Sequence, residues 1–198
     1  MGFPILPFFL LFLIWLSFRI KNLDAKQEKQ QEDFWAKERA ANTTPAKDIS
    51  NLRYITIPMD KFPLNFSQDE KVIEIESKLQ ELSTHKLLNL TKMSNADLKL
   101  EYGVPNFETM TKIGEDFDEL CILLNSYALA LKDAGRMEDV ENVLEFAIGI
   151  GTDISESYTL LAECYKNNDK SEKLAFLRDK VEQGDMLLKD SILKKIDA

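Results

Sequence analysis

The stretch "YALALKDAGRMEDVENVLEFA", from Tyr127 to Ala147, contains two apolar-striped segments joined at a glycine. In each segment apolar residues recur every three or four positions, which is the spacing of one face of an α-helix. Gly135 lies between the two segments, and glycine readily adopts the left-handed backbone that ends a helix. The stretch therefore predicts a helical hairpin, either as one unit of a repeat or as part of a small core.

The hairpin pattern returns 34 residues later in the chain. A shift of that length places Ala128 on Ala162 and Lys132 on Lys166, and it also aligns apolar positions of the second helix. A 34-residue period of paired helices is the sequence signature of tetratricopeptide repeats. The sequence therefore predicts two consecutive helical hairpins of similar geometry.

Residues 119–183 resemble two tetratricopeptide units. Ala128 and Gly135 are similar to the family's small helical residue and to its glycine between helices, whereas Asp169 stands where the second unit would have that glycine. The resemblance implies that the exposed face of the leading helices binds a peptide. The alternative is that Ile122 and Leu129 pack on the preceding helix and leave no groove. The candidate partner-binding residues on this face are Asn125, Leu129, Lys132, Thr159, Glu163 and Lys166.

Further helices are predicted on both sides of the hairpins. Residues 68–82 carry an apolar stripe, and Ser67 with Glu70 has the spacing of a capping box. A shorter helix is expected to start after Ser94 and to end at Gly103. Because two repeat units are fewer than such arrays usually need, the helix over 68–82 and a terminal helix over about 185–196 should complete the core.

One short extended segment is predicted in the stretch "RYITIP", residues 53–58. Its β-branched and aromatic residues favour extended backbone, and it ends at a proline. No second strand follows it in the sequence, so it cannot form a sheet of its own. We expect it to lie along the helical domain.

The chain opens with an uncharged run, Phe3–Phe18, followed by basic residues that begin at Arg19. Trp15 near the end of the run is typical of a membrane–water interface, so we expect residues 3–20 to bind a lipid bilayer. The positive-inside rule then places the carboxyl-terminal part in the cytoplasm. A signal peptide has its positive charge before the apolar run, which favours a retained anchor over an exported protein with a cleaved signal.

The predicted fold class is all-α, with an amino-terminal transmembrane helix and a small tetratricopeptide-like domain that includes one short extended segment. Four segments follow from changes in composition along the chain. They are a transmembrane anchor (1–20), a charged helical stalk and linker (21–50), a helical subdomain with the extended segment (51–118), and tetratricopeptide-like hairpins with a terminal capping helix (119–198).

The sequence indicates no reaction. His85 is the single histidine, and Cys121 and Cys164 lack the spacing of metal ligands, so we predict no catalytic residue, no metal and no cofactor. Both cysteines should be buried and reduced. The net charge of −9 argues against nucleic acid as a partner, because that affinity depends on Lys and Arg. In "GIGTD" the glycines should end one helix, and Asp153 with Glu156 should cap the next.

The order of anchor, charged stalk and helical repeat resembles uncharacterised bacterial single-pass membrane proteins. We therefore expect a non-enzymatic scaffold or adaptor, held at the cell membrane with its carboxyl-terminal domain in the cytoplasm, that binds an unidentified protein or peptide. The alternatives are a helical small-molecule-binding or catalytic domain, which would need a polar pocket, and an exported protein with a cleaved signal.

Overall fold

The computed structural model describes residues 5–197 and contains eight α-helices within that range. The predicted all-α class is confirmed. The helices are α1 (Ile5–Ala41), α2 (Glu70–Leu82), α3 (Asn95–Tyr102), α4 (Phe107–Asp133), α5 (Met137–Gly149), α6 (Ser155–Asn167), α7 (Ser171–Gln183) and α8 (Lys189–Asp197), with short 3-10 turns at Met59–Lys61 and Val104–Asn106.

The chain divides into two compact units, and α1 lies in the first. This unit combines residues up to Ile49 with Met93–Phe107, and the second combines Ser50–Lys92 with the residues from Glu108 onward. The stalk predicted after residue 20 is helical and continuous with the apolar run.

No helix among residues 5–197 is both long enough and apolar enough to cross a membrane. The predicted transmembrane helix over residues 1–20 is therefore not supported. The apolar run ends at Phe18, and the same helix continues through charged residues to Ala41. Residues 1–4 of the predicted span lie outside the described range.

Within the first unit, α3 packs on the carboxyl-terminal part of α1. The Lys37 ammonium lies 2.6 Å from the Asp97 carboxylate and, with hydrogen bonds from Ser94, lowers the pKa of Asp97 to about 2. Gly103 ends α3 with φ 88°, as predicted. A Cβ at this position would lie 2.1 Å from the Pro45 carbonyl oxygen, so only glycine fits here.

The extended segment of the second unit makes a single antiparallel bridge. The Ile55 amide donates to the Leu87 carbonyl at 2.8 Å, and no strand ladder forms among the described residues. Ile57 and Phe62 then enter the core of this unit. The segment therefore lies against the helical core without a sheet partner.

The second unit contains two hairpins, α4–α5 and α6–α7, whose turns repeat at 34-residue spacing. Gly135 has φ 73° and Asp169 has φ 54°, so the aspartate adopts the left-handed backbone that glycine has in the first turn. In both turns the next residue donates its amide to a carbonyl five positions earlier at 2.9 Å, from Arg136 in one case and Lys170 in the other. Both trailing helices, α5 and α7, have 13 residues.

The core of the second unit follows the same spacing into a third helix. α8 begins 34 residues after the start of α6. Leu124, Tyr158 and Ile192 are buried at one equivalent position of α4, α6 and α8. Small or branched residues, Ala128, Ala162 and Ile196, are buried one helical turn later. The terminal helix thus occupies the register of a third leading helix.

Helix caps differ from the predictions in two places. Asp69, rather than Ser67 with Glu70, caps α2, and its carboxylate accepts from the Lys71 amide at 2.8 Å. The helix starts two residues later than expected, which leaves Ser67 outside it, bonded to the Asp69 amide. α6 has Ile154 at its N-cap without a side-chain cap, so the cap predicted at Asp153 is wrong. Ser94 caps α3 as predicted.

Candidate partner-binding groove

Five of the six predicted partner-binding residues line one cavity in the second unit. The cavity has a volume of about 350 Å³ and is formed by α4, α6 and α8. The predicted residues in its wall are Leu129, Lys132, Thr159, Glu163 and Lys166; they are joined by Glu156, Leu160, Asn167 and Lys195. We call this cavity the leading-helix groove.

Two contacts arrange the charges of the leading-helix groove. The Lys132 ammonium donates to the Glu163 carboxylate at 2.7 Å, which links α4 to α6 and raises the pKa of Lys132. The Lys166 ammonium lies 3.5 Å from the Lys195 carbonyl oxygen, so α6 also meets α8. Lysines from three different helices therefore line a single groove.

Asn125 lies outside the groove, although the sequence predicts it there. Its side chain is buried, donates to the Glu156 carboxylate at 2.8 Å and accepts from the Ser157 hydroxyl at 2.9 Å. These bonds join α4 to the start of α6. Asn125 therefore positions the second leading helix, and its replacement would disturb packing before it altered a partner contact.

Ile122 does not pack on a preceding helix. Its side chain is 60% exposed, whereas Leu129 is half-buried in the groove wall. The alternative in which these two residues close the groove is therefore wrong for Ile122. Leu129 and Leu160 are the apolar residues of the groove wall, and Ile122 lies outside it.

A buried carboxylate that periodicity does not reveal holds the second hairpin. Glu141 of α5 accepts from the Lys170 ammonium at 2.7 Å and from Lys173 at 3.1 Å. Lys173 also donates to Glu145 at 2.6 Å, and the Tyr165 hydroxyl donates to the same carboxylate at 2.9 Å. These bonds fix α7 against α5, and α5 against α6.

A second buried carboxylate, Glu76 of α2, fixes the loop before that helix. It accepts from the Asn65 amide at 2.9 Å and from the Tyr127 hydroxyl at 3.2 Å. Burial and the neighbouring carboxylate raise the pKa of Tyr127, so the phenol stays protonated and can donate. α2 is thereby anchored to the carboxyl-terminal half of α4.

His85 makes a specific contact in an open cavity of about 560 Å³. Its Nδ1 lies 2.9 Å from the Asp116 carboxylate, whose other oxygen lies 2.8 Å from the Lys112 ammonium. The pair holds the loop after α2 to α4. Among the described residues, no three His, Cys, Asp or Glu side chains are grouped to hold a metal ion.

Both cysteines are buried and free, as predicted. Burial raises the pKa of Cys121 and of Cys164 to about 11 in each case. The thiolate is the nucleophilic form of cysteine, and a raised pKa makes it scarce at neutral pH. The environment of these two residues suits packing rather than catalysis.

Comparison with known proteins identifies no relative. No family model, curated protein or solved structure matches the chain.

Proposed function

We propose that this chain is a non-enzymatic, membrane-attached interaction module whose leading-helix groove binds an extended peptide of a partner protein. The observation that carries the proposal is the repeated hairpin. The turns at Gly135 and Asp169 are equivalent, α4, α6 and α8 bury residues at positions 34 residues apart, and side chains from all three helices line one groove. Stacked helix pairs commonly use such a surface for binding.

The charges of the groove favour a partner segment with acidic residues. Lys166 and Lys195 are exposed, and no ion pair among the described residues involves either ammonium. Lys132 is already paired with Glu163, and the other carboxylate, Glu156, accepts from Asn125, so the ammonium groups outside ion pairs outnumber the carboxylates by one. Complementary charge at the rim guides encounter and orientation, while Leu129 and Leu160 offer apolar contact.

The exposed apolar part of α1 supports attachment to a lipid bilayer through residues 3–20. The basic residues that begin at Arg19 favour the cytoplasm for the second unit. Large apolar side chains are exposed at successive positions, so they surround the helix and do not form one stripe. The Arg19 guanidinium lies 5.6 Å from the centre of the Trp15 ring, as in an interfacial anchor. The exposed residues are Phe9, Leu11, Phe12, Leu13, Trp15, Leu16 and Phe18.

Photo-crosslinking in native membranes tests the groove. A photoreactive amino acid at Thr159 should capture a partner segment with acidic residues, identified by mass spectrometry. The double variant Lys166→Glu/Lys195→Glu should lose most of this product, because both substitutions place acids against an acidic segment. The double variant Lys71→Glu/Lys92→Glu, at two exposed lysines outside the groove, is the matched control and should retain it. Equal capture by all three proteins, or no reproducible product, would contradict the proposal.

Vesicle flotation tests the attachment. The full chain should float with vesicles of phosphatidylethanolamine and phosphatidylglycerol, whereas a chain that lacks residues 1–20 should remain at the bottom of the gradient. Resistance to carbonate extraction separates insertion from surface adsorption. Protease added to spheroplasts should leave the second unit intact if it faces the cytoplasm, and digestion from outside would refute that orientation.

A further inference from the structure

A second cavity of the second unit lies among α5, α6 and α7 and has a volume of about 410 Å³. Its size falls within the range of small-molecule pockets, roughly 300–1,000 Å³. Ile148, Leu161, Tyr165 and Leu177 form an apolar floor. The Phe176 ring is 71% exposed beside it. We call this cavity the trailing-helix pocket.

One cation in the trailing-helix pocket lacks a counter-charge. The Lys180 ammonium donates to the Ile148 carbonyl at the end of α5 at 2.6 Å, and no ion pair that the described residues form involves it. The side chain is half-buried, and this burial lowers the pKa of Lys180. An ammonium that has lost water without gaining an anion would be stabilised by an incoming one.

The carboxylates that line the pocket are either bound to other side chains or far from Lys180. Glu145 accepts from Lys173 at 2.6 Å and from the Tyr165 hydroxyl at 2.9 Å. Glu172 lies eight residues before Lys180 on α7, or about 12 Å along the helix axis. Local charge at Lys180 is therefore positive.

We propose that the trailing-helix pocket binds a small amphipathic carboxylate, with its apolar part on Leu161, Phe176 and Leu177 and its carboxylate on the Lys180 ammonium. The apolar part would cover the exposed Phe176 ring. The carboxylate would supply the missing counter-charge, and charge-assisted hydrogen bonds are stronger than neutral ones. This site is separate from the leading-helix groove in its residues and in the chemistry of its ligand.

Gly149 offers a way to block the pocket without straining the backbone. It is the last residue of α5, lies in the pocket wall, and a Cβ added there would meet nothing within 4 Å. A larger side chain at this position can therefore extend into the cavity. Gly149→Leu should fill the space that the ligand needs while α5 remains helical.

Methyl-detected NMR titration of the full chain with phenylbutyrate tests the proposal. Saturable shifts should appear at Ile148, Leu161 and Leu177, and the neutral analogue phenylbutyramide should bind about tenfold more weakly, because it lacks the charge. Lys180→Met should reduce the affinity for phenylbutyrate by about tenfold, and Gly149→Leu should abolish the shifts. Lys189→Met removes a lysine that also contacts a backbone carbonyl, that of Glu182, and that lines neither cavity; it should leave binding unchanged.

The opposite results are equally clear. Equal affinity for acid and amide, or full affinity in Lys180→Met, would show an apolar surface without charge recognition and overturn the proposal. The absence of saturable shifts in the unsubstituted chain would overturn it as well. Thermal unfolding of each variant, measured in parallel, identifies a loss of binding that arises from a loss of folding.

Discussion

The Glu141 carboxylate is 4% exposed and accepts hydrogen bonds from two lysines of the next hairpin. Burial alone would raise the pKa of Glu141, but the bonds from Lys170 and Lys173 outweigh it, so the pKa lies below its ordinary value of 4.5. A buried carboxylate with two ammonium partners stabilises the fold most while it is ionised.

Glu141→Gln should lower the free energy of unfolding at neutral pH by about 1–2 kcal/mol, since it removes the charge that both lysines bind. The decrease is limited to this size because both lysines are partly solvated. The ionised carboxylate stabilises the fold above its unfolded-state pKa, near 4.5, and this contribution is lost as pH falls through the lower folded-state pKa. The difference in unfolding free energy between Glu141→Gln and the unsubstituted chain should therefore become smaller at acidic pH. Urea titrations at several pH values measure it.

Glu138→Gln, an exposed change on the same helix, is the control for this measurement. It should alter the unfolding free energy by no more than about 0.5 kcal/mol. A pH-independent gap for Glu141→Gln would show that the carboxylate acts through shape and not through charge.

Single residues also mark what the sequence could not reveal. The buried cysteines and the cap at Ser94 follow from local pattern, and both are confirmed. The buried carboxylates Glu76 and Glu141 do not follow from local pattern. In the sequence, an acid among the apolar residues of a helix face looks like an interruption of that face until its partner is known. Glu76 accepts a hydrogen bond from Tyr127, which lies 51 positions away in the chain. Periodicity contains no information at that range.

At the scale of elements, the two turns of the repeat require a left-handed residue. Gly135 meets this requirement without strain, and Asp169 meets it as one of the few other residue types that tolerate positive φ. The sequence predicts the first turn from its glycine. It predicts the second from the 34-residue period alone, because Asp169 stands where a glycine would have marked the turn directly.

Gly135→Ala and Gly149→Ala should change stability in opposite directions. Both positions have open space around an added Cβ, so only backbone conformation differs. Gly135 has φ 73°, and alanine there should destabilise the fold by about 1–2 kcal/mol. Gly149 is helical, and alanine there should stabilise it by about 0.5–1 kcal/mol. Thermal or urea unfolding measures both changes, and two changes of the same sign would contradict this explanation.

At the scale of the whole molecule, the reactivity of the two buried thiols measures how often the core opens. Cys121 and Cys164 are 3% and 0% exposed, and burial raises the pKa of each from 9.0 to about 11. Alkylation by iodoacetamide should be at least about a hundredfold slower than for an exposed thiol, since less thiolate is present and access is blocked. The rate should rise with urea along the unfolding curve.

A cysteine introduced at the exposed position Glu172 provides the reference rate. Rapid alkylation of the native thiols, comparable to that reference, would indicate that α4 and α6 open locally without unfolding. Equal protection of both thiols would indicate that the two hairpins unfold together.

For the candidate site, the sequence predicts the helix face but not every residue that reaches the groove. The repeat period places Lys132, Lys166 and their neighbours on one face, and the structure brings five of the six candidates into the leading-helix groove. Asn125 has the right spacing, but its amide pairs with Glu156 and Ser157 and is withdrawn from the surface. Lys195 joins the groove through α8, whose docking on α6 is a tertiary contact that the period alone does not specify.

The equal turns also constrain how such a chain can change in length. A tandem copy of residues 135–168 would join Asn168 to a second Gly135, at the same point of the turn that Asp169 now occupies. Each helix would then meet the neighbour it already fits, because hairpins in such arrays contact only the adjoining hairpins. The unit of insertion or loss is thus a whole hairpin, and in-frame duplication could lengthen the groove without any new turn chemistry.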